Sequence, residues 1–355
     1  MERDRGFVLA EMIVTIALTL IVVGAAFALV NPSEATSVVQ PEAMDMQQRV
    51  RAAALVLSQE LSMAGAGPDA GSNAGPLVNS FAPVIPRRIG MRNPDPDMAA
   101  RRDAVTITYV LSTYAQSTTS VPVPDAGGLA VNLAPNCPIG DPLCGFGAGM
   151  TVAVFDPTGH FDLFSITSTT SSTAELAAHG GGPGYVFAAG ADVAEVRSHT
   201  FYYDALNRQL RDYDGFETDT PVVDNVVGLS FDYFGDPHPP LRPKPPVGVG
   251  NCLYDAAGNP NPLPTFSADW GELASLPLSM LSDGPWCGGS GTLFDVDLLR
   301  VRAIRVTLRI QATAAGLRGT GLGFARPGQS HDSSRYLPDL QATFLIAPQN
   351  LNHGW

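Results

Sequence analysis

Residues 7–30 read FVLAEMIVTIALTLIVVGAAFALV, an apolar run in which Glu11 alone carries a charge. At about 1.5 Å per residue it makes a helix of roughly 36 Å, enough to span a bilayer core. A cleavable secretory signal has a shorter apolar core with a small-residue cut site behind it. This run is long and ends at Asn31-Pro32, so it is expected to be retained. Arg3 and Arg5 precede it, and the next basic residue is Arg49, with Glu34, Glu42 and Asp45 between. The positive-inside rule then puts the short N-terminus in the cytoplasm and everything after Val30 across the membrane. A carboxylate within such a helix costs about 2.5–3.5 kcal/mol to insert, so Glu11 asks for a partner. For an isolated anchor, a Glu close enough to the cytoplasmic face to snorkel or take up a proton would be adequate.

The order of these features, a short charged leader ending in Gly6, then Phe7, then Glu11 and an unbroken apolar helix, resembles the type IV prepilin and pseudopilin family. The resemblance implies a leader peptide at 1–6, cut on the cytoplasmic side between Gly6 and Phe7 by a prepilin peptidase that then N-methylates Phe7. It also implies an assembly role for Glu11, which would meet the N-terminal amine of a neighbouring subunit. A buried carboxylate is tolerable beside a cation, and removing either partner leaves the other at a cost of about 3–5 kcal/mol. The leader departs from the usual basic type by carrying Glu2 and Asp4 beside its two arginines.

Residues 31–67 read as a linker broken at Pro32 and an amphipathic helix. Met46, Val50, Ala53, Leu57 and Leu61 recur every three or four positions with polar residues between them. That helix should stop at Gly65-Ala66-Gly67-Pro68. From 68 to 355 the pattern is β-rich, with strand-like runs at 104–111, 150–155, 161–167, 193–201, 209–213, 222–233, 299–312 and 339–347. Asp156-Pro157-Thr158-Gly159 and Asp204–Asn207 read as hairpin turns. The fold class expected is α+β, a long N-terminal helix packed on an antiparallel, pilin-like head. The order of 226–233, 299–308 and 347–351 resembles the large minor pilins of the PilW type. Between 235 and 295 lies a loop insertion with a proline tract at 237–246, extended and barred from a sheet interior.

The formal net charge is −13 with a single lysine, Lys244, which argues against binding a nucleic-acid backbone. All four cysteines, Cys137, Cys144, Cys252 and Cys287, follow the apolar run, so a membrane-crossing chain places them together in an oxidising compartment. Three pairings are possible. The shortest loops favour Cys137 with Cys144 and Cys252 with Cys287, and no Cys-x-x-Cys pair points to zinc. His179-Gly180-Gly181-Gly182 is similar to the oxyanion loop of esterases but lacks a Gly-x-Ser-x-Gly elbow, and Ser330-His331 is mere adjacency. A weak calcium candidate is the acidic run Asp212, Asp214, Glu217 and Asp219, which does not match an EF-hand.

These readings lead to a non-enzymatic structural subunit that needs no cofactor. It would sit as a single-pass inner-membrane protein with its C-terminal head in the periplasm and, as the resemblance implies, serve as a minor pilin in type IV pilus assembly. The partners implied are other pilins and minor pilins, the prepilin peptidase and the pilus or secretion assembly platform. The alternatives are a minor pseudopilin of type II secretion and a membrane-tethered periplasmic adhesin or binding protein.

Overall fold

One helix, α1, runs Leu9–Ser62. The structure is a computed structural model that describes residues 9–67, 80–96, 99–110, 115–124, 128–135, 137–179, 185–282, 295–329 and 336–351, with the backbone alone for 28–37. The expected break at Pro32 is absent, because α1 continues through both Pro32 and Pro41. An interior proline removes one i→i−4 hydrogen bond and crowds the carbonyl one turn back, at about 3 kcal/mol. It bends a helix without ending it when both flanks are good helix formers, as Ala25, Ala26 and Leu29 are before Pro32 and Glu42, Ala43 and Met44 after Pro41. The predicted stop holds: a turn covers Met63–Gly65, and Gly65 takes the left-handed conformation (φ 71°) open to a residue without Cβ. Pro68 lies outside the described residues.

Contacts divide the chain into two compact units, Met1–Arg49 with Ile310–Leu340, and Val50–Arg309 with Gln341–Trp355. In the first, the Thr313 amide donates to Glu42 Oε1 (2.6 Å) and Arg49 donates to Thr313 Oγ1 (3.1 Å), while Arg49 also pairs with Asp45 one turn back. The 310–340 segment is a looped structure closed on itself. Leu337 N–H donates to Leu317 O, Asp339 N–H donates to Gly323 O, and Phe324 packs edge-on against Tyr336.

The second unit holds the largely antiparallel β-structure. Its strands are β1 (Val84–Ile85), β2 (Ala104–Tyr109), β3 (Gln116–Thr118), β4 (Thr151–Phe155), β5 (Phe161–Thr169), β6 (Ala174–Ala178), β7 (Asp192–Asp204), β8 (Gln209–Tyr213), β9 (Asp219–Asp224), β10 (Val226–Gly235), β11 (Ala274–Leu276), β12 (Val301–Ile310) and β13 (Leu340–Ile346). The larger sheet follows the order β1-β2-β7-β4-β5-β6, with β3 and β8 also paired to β7 and β9 to β8; the smaller follows β11-β10-β12-β13. The strand β7 is the spine. Its 13 residues pair with β2, β3, β4 and β8, all antiparallel.

Both expected hairpins form. In the first, Asp156 Oδ1 accepts the Thr158 N–H and Gly159 adopts φ 103° between β4 and β5; in the second, Asp204 accepts the Leu206 and Asn207 N–H groups between β7 and β8. The single run expected at 222–233 is two strands, β9 and β10, separated by Asn225 in the left-handed region (φ 59°). Two valines stand on each side of Asp224-Asn225, so the run reads as one apolar stretch.

The C-terminal part of α1 joins this unit through Ala53, Leu57 and Leu61, all fully buried as their spacing requires. Its exit is tied to β2, where Gly65 N–H donates to Thr108 O and Val110 N–H donates to Ala66 O. The main core of the larger sheet gathers Val152, Val154, Phe164, Ile166, Phe187 and Val193, with Leu129 and Leu143 from loops.

The 235–295 insertion is more than a surface loop, since β11 lies within it and pairs with β10. What ties it down is Arg300, which has no exposed side-chain surface. Its guanidinium donates to Asp297 Oδ1 (2.6 Å), Pro237 O (3.1 Å) and Pro264 O (2.9 Å), and lies over the Phe266 ring at 4.6 Å. One buried cation thus fastens the start and the middle of the insertion, satisfied by the charge-assisted bonds that such burial demands.

Candidate functional site

The sequence-predicted assembly residues lie at the start of α1. Gly6 and Phe7 lie outside the described residues; Glu11 stands in the first turn of the helix. The stretch Leu9–Phe27 has mean hydropathy 2.3 and no buried residue, and is long and apolar enough to cross a membrane. Its large apolar side chains leave the helix in every direction. Met12, Ile13, Val14, Ile16, Leu18, Leu20, Ile21, Val22 and Phe27 are all exposed. An amphipathic helix keeps one polar side, whereas one that is apolar all round requires lipid or other helices on every side. Even its polar hydroxyls turn inward: Thr15 Oγ1 donates to Met12 O (2.9 Å) and Thr19 Oγ1 to Thr15 O (2.7 Å), leaving no competing polarity on the helix surface. Glu11 is then the one ionisable side chain of an otherwise apolar sheath.

The disulfide between Cys137 and Cys144 forms as expected, with Cα atoms 4.4 Å apart. Cys252 is also disulfide-bonded. Its expected partner, Cys287, lies outside the described residues.

The four acidic residues weighed for calcium do not form a common ligand set. Asp212 accepts from His199 Nδ1 at 2.9 Å, while Asp214 Oδ1 caps its own turn by accepting the Phe216 and Thr218 N–H groups. Asp219 accepts from Arg211 Nε (2.8 Å) and the Tyr202 hydroxyl (2.6 Å), with Arg88 at 3.7 Å, and Glu217 is exposed. Among the described residues no group of three or more His, Cys, Asp or Glu side chains is placed to hold a metal ion.

Two histidine arrangements were invisible in the sequence because their members are brought together by strand pairing. His199 on β7 lies between Asp212 and Glu60, the latter 3.9 Å away at the end of α1, and Glu60 also accepts from the Tyr109 hydroxyl (3.4 Å). Burial opposes charging of His199, but the hydrogen bond and charge of Asp212, with Glu60 behind it, outweigh that and raise its pKa. The second is His179, the residue weighed for an oxyanion loop, whose Nε2 meets Ser165 Oγ at 2.6 Å across the β5–β6 hairpin. Burial depresses the His179 pKa to about 4, against the opposing charge of Asp214. Serine and histidine at this distance have the spacing of an activated nucleophile. Both are sealed, however, with Ser165 1% and His179 0% exposed, so no substrate carbonyl reaches Oγ and the pair acts as a polar tie within the sheet. Gly180–Gly182 lie outside the described residues, as do Ser330 and His331.

Around β7 an open groove of about 350 Å³ is lined by Glu195, Ser198, His199, Asp212 and Asp214 with threonines beside them. No family model, curated protein or solved structure matches the chain.

Proposed function

We propose that this chain is a prepilin-like subunit that works by polymerisation. Residues 7–30 anchor it in the inner membrane with the head on the periplasmic side, the leader is removed after Gly6, and α1 then carries the subunit into a type IV pilus as a minor, PilW-like pilin. The observation that carries this reading is the helix Leu9–Phe27, apolar on every side, with the single carboxylate of Glu11 in its first turn. A carboxylate in such a helix costs about 2.5–3.5 kcal/mol to insert, a cost that a charge partner in an assembly offsets. In a filament core a neighbour's N-terminal amine would sit against Glu11 and set the stagger between packed helices. Within the bilayer apolar packing alone favours no particular register, so the charge pair does the selecting. Other pilins, the prepilin peptidase and the assembly platform are the partners this requires.

The test is Glu11→Ala in cells that assemble the filament, scored by immunoblot of the sheared filament fraction against the membrane fraction. The unpaired amine left behind should lower the filament fraction by at least about tenfold, with the membrane-inserted amount unchanged. Unaltered incorporation of Glu11→Ala would remove the reading and leave a membrane-tethered protein.

A further inference from the structure

On the outer face of the smaller sheet, one position breaks strand alternation. Along β10, Leu229, Phe231 and Tyr233 are buried on the inner face, while Gly228, Ser230 and Asp232 are half-buried on the outer one. Phe234 follows in the outer set, yet it is only 5% exposed. Two side chains roof it. The Arg305 guanidinium lies over the ring at 4.4 Å from its centroid, and the Trp270 ring stands 5.4 Å from it at 47°. On β12 Arg305 is flanked by Ile304 and Val306, both fully buried, so it too belongs to the outer face.

Both roofing groups are held in place without being covered. Gly271, in the left-handed region (φ 62°), and Glu272 form a two-residue turn across which Trp270 and Leu273 exchange both N–H···O bonds at 3.0 Å. Trp270 nevertheless stays 42% exposed. Arg305 is half-buried and stacked on Phe234, with no hydrogen bond or ion pair to any described residue. Asp232, on the same face of β10, is taken by Arg102, whose Nε and Nη2 both donate to its Oδ1 (3.1 and 2.5 Å). Asp269 and Glu272 of the Trp270 turn are exposed and leave Arg305 unpaired as well. Beside them Ser275, the register partner of Phe234 on β11, is exposed on the same face.

A guanidinium stacked by one face on a ring keeps its N–H edge for an acceptor, and a carboxylate matches that fork with two parallel bonds. The adjoining indole asks for something different, a flat apolar surface laid against it. An acidic peptide side chain supplies the carboxylate but no such surface. A hexuronate supplies both, with its carboxylate on a ring whose C–H face can lie on the indole and whose hydroxyls can reach Ser275. We propose that the platform of Arg305, Phe234 and Trp270 binds a hexuronate residue of an acidic saccharide, with Arg305 on the carboxylate, Trp270 against the sugar ring and Ser275 on a ring hydroxyl. The site does not depend on the filament reading.

The test is calorimetric titration of the full chain in detergent, in about 0.15 M salt, with methyl β-D-glucuronide, methyl β-D-glucoside and N-acetyl-glutamate N-methylamide. The glucuronide should bind at least about tenfold more tightly than the glucoside, and Arg305→Gln should abolish that preference without moving the melting temperature. Trp270→Ala should weaken both sugars by about fivefold. Equal binding of the two sugars, or no binding by either, overturns the proposal. Binding of the glutamate derivative as tight as that of the glucuronide overturns its saccharide part and leaves an acidic peptide side chain as the ligand. Should either variant fail to fold, the wild-type comparison of the three ligands still decides.

Discussion

His179 and His199 lie twenty residues apart and respond to acid in opposite senses. His179, with its folded pKa pulled down to about 4 by burial, binds its proton more weakly folded than unfolded. Its neutral form is native, so the molecule is fully stabilised above the ordinary histidine pKa and loses about 3 kcal/mol as the pH falls from about 6.5 to 4. For His199 the folded pKa is raised, so its contribution is complete below about 6.5 and disappears as the pH rises through the folded value. The check is urea unfolding of the full chain in detergent across pH 4 to 9. His179→Gln should remove the acid-side loss, and His199→Gln the loss on the alkaline side. Identical pH profiles for wild type and both variants would contradict these assignments. Neither environment was legible in the sequence, since Ser165, Glu60 and Asp212 reach the rings only through strand register and the docking of α1.

The helix is the element whose reading from sequence went furthest and failed most instructively. Of the face that the spacing identified, Met46, Ala53, Leu57 and Leu61 are buried and Val50 is half-buried. Leu57→Ala should therefore destabilise the chain by about 2–5 kcal/mol, while Leu55→Ala, on the exposed side, should cost under about 0.5 kcal/mol. A urea midpoint series measures both, and equal effects would contradict the assigned face. The expected break at Pro32 failed because proline penalises one turn, whereas helix continuity depends on both flanks. Among strands, the long apolar ones (β2, β4, β5, β7, β12) were legible from β-branched and aromatic residues. The Gln-Ser-Thr of β3, the alanine-rich β6 and the three residues of β11 carry no such signal, and their neighbours' unpaired edges recruit them. The Asn225 turn was hidden for a related reason: one left-handed residue interrupts a pattern that remains apolar on both sides.

On the scale of the whole molecule, the two ends of α1 face opposite physical demands. Residues 9–27 are apolar on all sides and bury nothing within the chain, whereas residues 53–61 are amphipathic and bury their apolar face fully. The remainder of the surface is acidic, with a net charge of −13 that favours solubility for everything beyond the apolar stretch. A chain so divided needs other helices or lipid around its N-terminal stretch, and that need is the basis of the proposed polymerisation. The α+β class, the membrane-compatible helix and the Cys137–Cys144 bridge were all legible beforehand, while the groove around β7 arises from strand pairing and had no sequence signature. The most direct measurement is the N-terminal peptide mass of the membrane-extracted protein from cells with and without the prepilin peptidase. The account predicts a chain beginning at N-methylated Phe7 only where the peptidase is present, and an uncut Met1 start in both strains would contradict it.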